Sequence, residues 1–150
     1  MKIGEVCNRE VTFAYEHERL DDAAKLMRKY HVGSLIVLAK DEARGRIPVG
    51  VLTDRDIVVE VLTGGLDYRT VTVGEVMTRD PISVSEDEDM LEALKLMRRR
   101  GVRRLPVLTR AGTLAGIVTI DDLLELVAEQ LDDLVKAIAS EQSREVRARA

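Results

Sequence analysis

The stretch Gly50-Val51-Leu52-Thr53-Asp54-Arg55-Asp56 reads as a buried strand running straight into a helix, and Gly116-Ile117-Val118-Thr119-Ile120-Asp121-Asp122 reads the same way. Both follow the pattern Gly-apolar-apolar-Thr-x-x-Asp. A threonine closing a strand, with a carboxylate three residues on, suits the start of a helix, because both side chains can hold the unpaired backbone N–H groups there. Two occurrences point to an internal repeat. Working outward, a shift of 70 residues lays Ile3-Gly4-Glu5-Val6 on Val73-Gly74-Glu75-Val76 and AAKLMR (23–28) on ALKLMR (93–98). Val32, Leu35, Val37 and Leu38 fall on Val102, Leu105, Val107 and Leu108. From position 3 to 38, 15 of 36 pairs are identical, too many for chance. Beyond that the offset falls to 66, because the first copy has the longer loop, KDEARGRIPV against TRAGTLA. The chain divides into one repeat over residues 1–66, a second over 67–128 and a C-terminal helical extension over 129–150.

Each repeat has the same order of elements. Leu20, Ala23, Ala24, Met27 and Tyr30 fall at helical spacing over 20–31, and Met90, Ala93, Leu94 and Met97 repeat it over 90–100. Acidic residues lead each helix and basic ones follow, which complements the helix dipole. Two short apolar runs come next, Ser34 to Ala39 and Val49 to Thr53, then Leu105 to Leu108 and Leu114 to Thr119. Loops with Gly45 and Gly112 join them as neighbouring strands. A second helix follows near 54–63, closed by Gly64-Gly65, and near 121–139. Short extended pieces, Val11 to Phe13 and Ile82 to Val84, lead each unit. One such unit could hardly cover its own sheet, so two packed sheet to sheet, about a pseudo-twofold axis, would complete a core. The fold class is α+β, with each repeat running β-α-β-β-α.

The bulk properties fit a folded chain. Its 150 residues are 45% hydrophobic and 33% charged, with net charge −4 and only one Phe and three Tyr, so Val, Leu, Ile, Met and Ala must build the core. Cys7 alone cannot form an internal disulfide and suits a reducing compartment. No apolar run approaches the roughly 20 residues of a membrane span, and the start carries no signal-peptide core. These features read as cytoplasmic. Cys7, His17 and His31 lack the spacing of a zinc site, and Cys7 falls on Met77 of the other copy, as a small apolar residue would. No nucleophile–base arrangement stands out, so no enzyme and no catalytic cofactor is expected.

Thr53 with Asp56, and Thr119 with Asp122, carry the functional reading. They can serve as helix caps alone. They can equally share the helix-end donors with a phosphate while the carboxylate accepts both hydroxyls of a ribose. The same spacing at matching points of a repeat favours the ligand role. The segments YHVGSLIVL, GVLTDRDI, VGEVMTRDPISV, GVRRLPVL and GIVTIDDLL resemble those of the cystathionine β-synthase (CBS) domain family, over roughly residues 3–128. The resemblance implies a tandem pair, a Bateman module, that regulates by binding AMP, ADP, ATP or S-adenosylmethionine between its halves. It places ribose at Asp56 and Asp122 and phosphate near Thr53 and Thr119. Adenine would lie among Val11-Thr12, Val32-Gly33-Ser34, Pro81-Ile82-Ser83 and Val102 to Pro106, Leu105 included. Where copy one has Gly33-Ser34, copy two has Arg103-Arg104, whose guanidinium forks suit phosphate oxygens.

Two other classes compete. Vestigial pockets would leave a structural or oligomerisation module. The run Arg98 to Arg104 would suit nucleic acid, but the acidic run Glu86 to Asp89, the negative total and the scarcity of aromatics argue against it. In the extension, Leu124, Val127, Leu131, Leu134 and Ile138 form a short heptad seam ending at Glu141 and Glu145, and SREVRARA beyond reads as a fraying end. The seam either folds back on its own module or packs on a second chain. A homodimer, signalling to a further protein partner, is the expected assembly, and no membrane is involved.

Overall fold

The structure, a computed structural model, describes residues 1–41 and 43–150. The first repeat contains helix α1 (Ile3–Val6), strand β1 (Phe13–Tyr15), helix α2 (Leu20–Tyr30), strands β2 (Ser34–Asp41) and β3 (Gly45–Thr53), and helix α3 (Asp54–Asp56, continuing as a π-helical stretch Ile57–Leu62). The second contains α4 (Val73–Val76), β4 (Thr78–Arg79), β5 (Val84–Ser85), α5 (Met90–Arg100), β6 (Arg104–Leu108), β7 (Leu114–Thr119) and α6 (Ile120–Arg149). The expected strand–strand loop of copy one includes Glu42, which lies outside the described residues.

The helices form for the reasons their spacing gives. Leu20, Ala23 and Met27 bury one face of α2, and Met90, Ala93 and Met97 bury the matching face of α5. Asp89 caps α5 by accepting the Leu91 amide at 2.8 Å. Both helices stop at a residue in the left-handed conformation, His31 (φ 53°) and Gly101 (φ 65°). The strands run slightly longer than the apolar runs, because β2 and β3 keep pairing into the polar loop as far as Asp41 opposite Gly45.

One sheet runs β1-β2-β3-β4 and the other β5-β6-β7; β1–β2 and β5–β6 pair parallel, the hairpin pairs β2–β3 and β6–β7 antiparallel, and β4 joins β3 antiparallel. Both central pairs shift register at the same place, between Val37 and Leu38 and between Val107 and Leu108. Along β2, Leu35 and Val37 point into a core with α2, whereas Ile36 and Leu38 point the other way. There they meet Leu114, with Val11, Phe13, Tyr15, Val51 and Ile117 around them. This third core is the sheet-to-sheet junction, and strands buried on both faces explain why the runs are continuously apolar.

The leading segments of the two repeats are exchanged. Although β4 follows the first repeat in sequence, Thr78 pairs with Val51 on β3. Reciprocally, Asn8 bridges Ile117 on β7, with N–H···O bonds of 2.8 Å in both directions. Ile3 is fully buried in the second core among Val84, Met90 and Met97, and Val73, Val76 and Met77 are buried in the first. The Ile3 and Gly4 amides donate to the Glu88 and Glu86 carbonyls, and those of Val73 and Gly74 donate to Glu18 and Glu16. Each half therefore includes a piece of the other copy's chain.

Helix α6 runs unbroken to Arg149 and does not fray after Glu141. Ion pairs Asp132–Lys136 (2.6 Å) and Glu145–Arg149 (3.3 Å) lie one turn apart along it, the spacing that supports an exposed helix. Nor does it fold back, since residues 128–150 are all exposed.

The exchange explains the two glycines at the head of the repeated motif. A Cβ on Gly116 would sit 2.6 Å from the Asn8 carbonyl oxygen and 2.9 Å from Cys7 Sγ, and one on Gly50 would meet Met77 Sδ and the Thr78 carbonyl. Gly116→Ala is therefore expected to destabilise the chain by about 1–3 kcal/mol in thermal or denaturant unfolding, the usual cost of overpacking. The Asn8 amide should exchange faster in the same variant. Unchanged exchange there would mean that the crossing segment is not tied to β7.

Candidate ligand-binding site

Side chains from both repeats meet where the central strands of the two sheets begin and end. Ser34 opens β2 opposite Thr53, the last residue of β3, and Arg104 opens β6 opposite Thr119, the last residue of β7. Ser34 and Arg104 stand one repeat period apart, and an Arg104 Nη1–H donates to the Ser34 hydroxyl. The pseudo-twofold axis thus brings equivalent strand starts face to face. The row Thr53, Ser34, Arg104, Thr119 crosses from one half to the other.

Behind each threonine stands a closed capping box. The Asp56 amide donates to Thr53 Oγ1 (3.0 Å) and the Thr53 amide donates to Asp56 Oδ2 (2.9 Å). In copy two the Asp122 amide donates to Thr119 Oγ1 (3.2 Å), and the Thr119 amide and hydroxyl both donate to Asp122 Oδ2 (2.9 and 2.8 Å). The capping reading is therefore realised at both sites. It occupies one oxygen of each carboxylate; Oδ1 of Asp56 and of Asp122 has no donor among the described residues. All four side chains are half-buried, near helix ends whose dipoles favour an anion. Capping and ligand binding can coexist on this geometry.

The two arginines part company. Successive strand residues face opposite ways. Arg104 is half-buried at the junction, whereas Arg103 is 73% exposed and pairs with Asp121 at 3.5 Å on the outer side. The Gly33 and Arg103 carbonyls play matching parts, accepting the Asp54 and Ile120 amides at 3.0 and 2.8 Å.

The remaining positions divide between hollow and core. Val11 and Thr12 line a hollow of about 480 Å³ with Glu10, Phe13, Leu26 and Tyr30. Val102 lines another of about 480 Å³ beside Leu94, Met97, Arg98, Gly101 and Ile120. Ser83 lines a smaller one of about 200 Å³ with Glu88 and Arg99. The larger two fall in the range of small-molecule sites. Val32 packs against the first core and Ile82 against the second, and Pro81 is half-buried. Leu105 is fully buried and Pro106 buried, so their side chains serve packing. Sequence reasoning missed Tyr30 and Phe13. Tyr30 keeps the apolar spacing of α2, yet it is 52% exposed beside the first hollow.

Cys7 packs against the second core, consistent with its correspondence to Met77. Burial pushes its thiol pKa up, against the opposing pull of Arg9. His17 is exposed and stacks on Tyr15 at 5.8 Å. Among the described residues, no three His, Cys, Asp or Glu side chains gather as a metal site, and no helix is long and apolar enough to cross a membrane.

Comparison with known proteins gives a family and several relatives. The family described as the CBS domain matches residues 3–63 and again 73–129. Hypoxic response protein 1 of Mycobacterium tuberculosis is 37% identical over 137 residues, 91% of this chain and 92% of that protein. An uncharacterized protein of Methanopyrus kandleri is 36% identical over 127 residues; they make up 84% of this chain but 62% of that longer protein. A crystal structure of Hypoxic Response Protein I with two coordinated zinc ions superposes with TM-score 0.73 at 36% identity, covering 83% of this chain and 98% of that one. The CBS domain pair of protein MJ0100, in complex with 5′-methylthioadenosine and S-adenosyl-L-methionine, superposes with TM-score 0.70 at 25% identity, covering 85% and 99%.

The surroundings of Cys7 set an expected reactivity. With its thiolate disfavoured by burial, Cys7 should alkylate with iodoacetamide at pH 8 at least tenfold more slowly in the native chain than in the urea-unfolded chain. Equal rates would show that the segment before β1 is not packed on the second half.

Proposed function

The chain belongs to the CBS domain family as a tandem pair, and from that premise we propose that it is a regulatory module holding an adenosine-containing ligand where its repeats meet. The ligand class is AMP, ADP, ATP or S-adenosylmethionine. The observation that carries this is the half-buried Arg104 guanidinium, which crosses the junction to a neutral hydroxyl, that of Ser34. A phosphate oxygen is a stronger acceptor, and exchanging the serine for it would give the guanidinium a charged acceptor in place of a neutral one. The open Oδ1 atoms of Asp56 and Asp122 suit ribose hydroxyls, and the hollow lined by Thr12, Phe13 and Tyr30 suits a flat base. The bound adenosine compounds of the MJ0100 pair support the same class.

Regulation then follows from linkage. A ligand that bridges Thr53 and Ser34 on one half and Arg104 and Thr119 on the other favours the conformation in which they converge, and it can shift the equilibrium only by that difference in affinity. In this reading the module has no catalysis of its own, because the junction carboxylates Asp56 and Asp122 are engaged in capping their helices. It works as a cytoplasmic homodimer that passes its state to another protein. The exposed apolar side chains Val58, Val59 and Leu62 on α3, and Leu124 on α6, support assembly.

Calorimetry with ATP, AMP and S-adenosylmethionine tests this reading. At least one is expected to bind, and Asp122→Ala should lose about 1–3 kcal/mol of affinity, the cost of leaving a charged hydrogen bond unmade. Arg104→Ala should weaken ATP far more than adenosine. Absence of heat and of thermal stabilisation with all three ligands would overturn the sensor reading and leave a structural module.

A further inference from the structure

The surface that the ligand site leaves unexplained is the free part of α6. Among the described residues only its first two turns are anchored, through Leu123 in the second core and Ile120 and Leu126 packed against it. From Ala128 to Ala150 every residue is exposed, a rod of roughly 34 Å at 1.5 Å per residue. Leu131, Leu134, Val135, Ile138 and Val146 are 58–70% exposed. At 100° per residue they share one face with Val127 and Gln142, so the apolar stripe continues past Glu141, where the strict heptad seam stops. Among the described residues, the ion pairs along this stretch are internal, Asp132–Lys136 and Glu145–Arg149.

Charge is unevenly spread along the same helix. Residues 120–135 carry Asp121, Asp122, Glu125, Glu129, Asp132 and Asp133 and no Lys or Arg. Residues 136–150 carry Lys136, Arg144, Arg147 and Arg149 against Glu141 and Glu145, an excess of two positive charges. A parallel pair of such helices would set six carboxylates beside six. An antiparallel pair sets the acidic half beside the basic half and opposes the two dipoles.

We propose that a second copy of this chain covers the stripe, its α6 antiparallel, with Val135 facing Ile138, Leu131 facing Gln142 and Val127 facing Val146. This register overlaps the free length of both helices. It places Val135 and Ile138 at the centre, sets Leu131 against the polar Gln142 on either side of them, and closes each end with Val127 against Val146. The proposal rests on the dimer proposed above but not on the nucleotide.

The test uses full-length chains in a Cys7→Ala background, one carrying Leu131→Cys and the other Gln142→Cys, co-expressed and mildly oxidised. The mixed disulfide is expected to form at least tenfold faster than the disulfide between two Leu131→Cys chains. Faster self-linking at Leu131 would overturn the antiparallel register. A dimer by light scattering without the mixed disulfide would overturn the α6 contact while leaving dimerisation intact, and a monomer at micromolar concentration would remove both. A second variant guards against a cysteine artefact. Leu134→Glu with Ile138→Glu, at positions exposed in the single chain, should leave the unfolding temperature of the module near its original value yet weaken dimerisation at least tenfold. Undiminished dimerisation would contradict the proposal.

Discussion

Ile3 lies fully buried among side chains of the second repeat, and Val73 fully buried among those of the first. The rest of the structure depends on this reciprocal exchange. A three-stranded sheet with one helical layer is close to the lower limit of what can bury its own apolar faces. Each repeat overcomes that limit by borrowing a short helix and an edge bridge from its twin, with backbone hydrogen bonds at each crossing. The close backbone approach at those crossings explains Gly50 and Gly116, and it locks the relative orientation of the sheets whose inner faces meet at Ile36, Leu38 and Leu114.

That orientation is what creates the junction on which the proposed site rests. Residues one repeat period apart are brought face to face, so any side chain at the start of β2 meets its own equivalent at the start of β6. In a perfectly symmetric chain this would place like against like. Here Ser34 meets Arg104, and a single half-buried cation results where two would repel. The junction is thus symmetric in backbone and asymmetric in charge. Among the described residues Arg104 brings one guanidinium to the row, Arg103 being turned outward to Asp121, and the proposed ligand accordingly offers one anionic group at the axis rather than two.

Much of this could be read from the sequence, and the omissions have physical reasons. The period of 70, the apolar spacing in α2 and α5, and the Thr-x-x-Asp caps are local or self-repeating properties, and they gave the element order and the sheet-to-sheet packing. The exchange of Ile3 and Val73 was invisible, because a repeat in sequence does not say which copy a segment packs against. Arg103 and Arg104 were grouped because they are adjacent, although strand alternation sends them to opposite faces. Tyr30 passes for core because it keeps the spacing of Leu20, Ala23 and Met27, yet as the last residue of α2 it is exposed. The polar end of α6 reads as a fraying tail because Val146 alone continues the apolar stripe beyond Ile138, and the pair Glu145–Arg149 that supports the helix there is a local polar contact.

The claim that matters most is that both repeats hold a single ligand across the row from Thr53 to Thr119. Hydrogen–deuterium exchange with and without saturating ATP, AMP or S-adenosylmethionine reports it directly. The expected result is simultaneous protection of residues 33–36 and 53–57 in one half and of 103–106 and 119–123 in the other. Protection confined to one repeat, with its twin unchanged at saturation, would contradict the account.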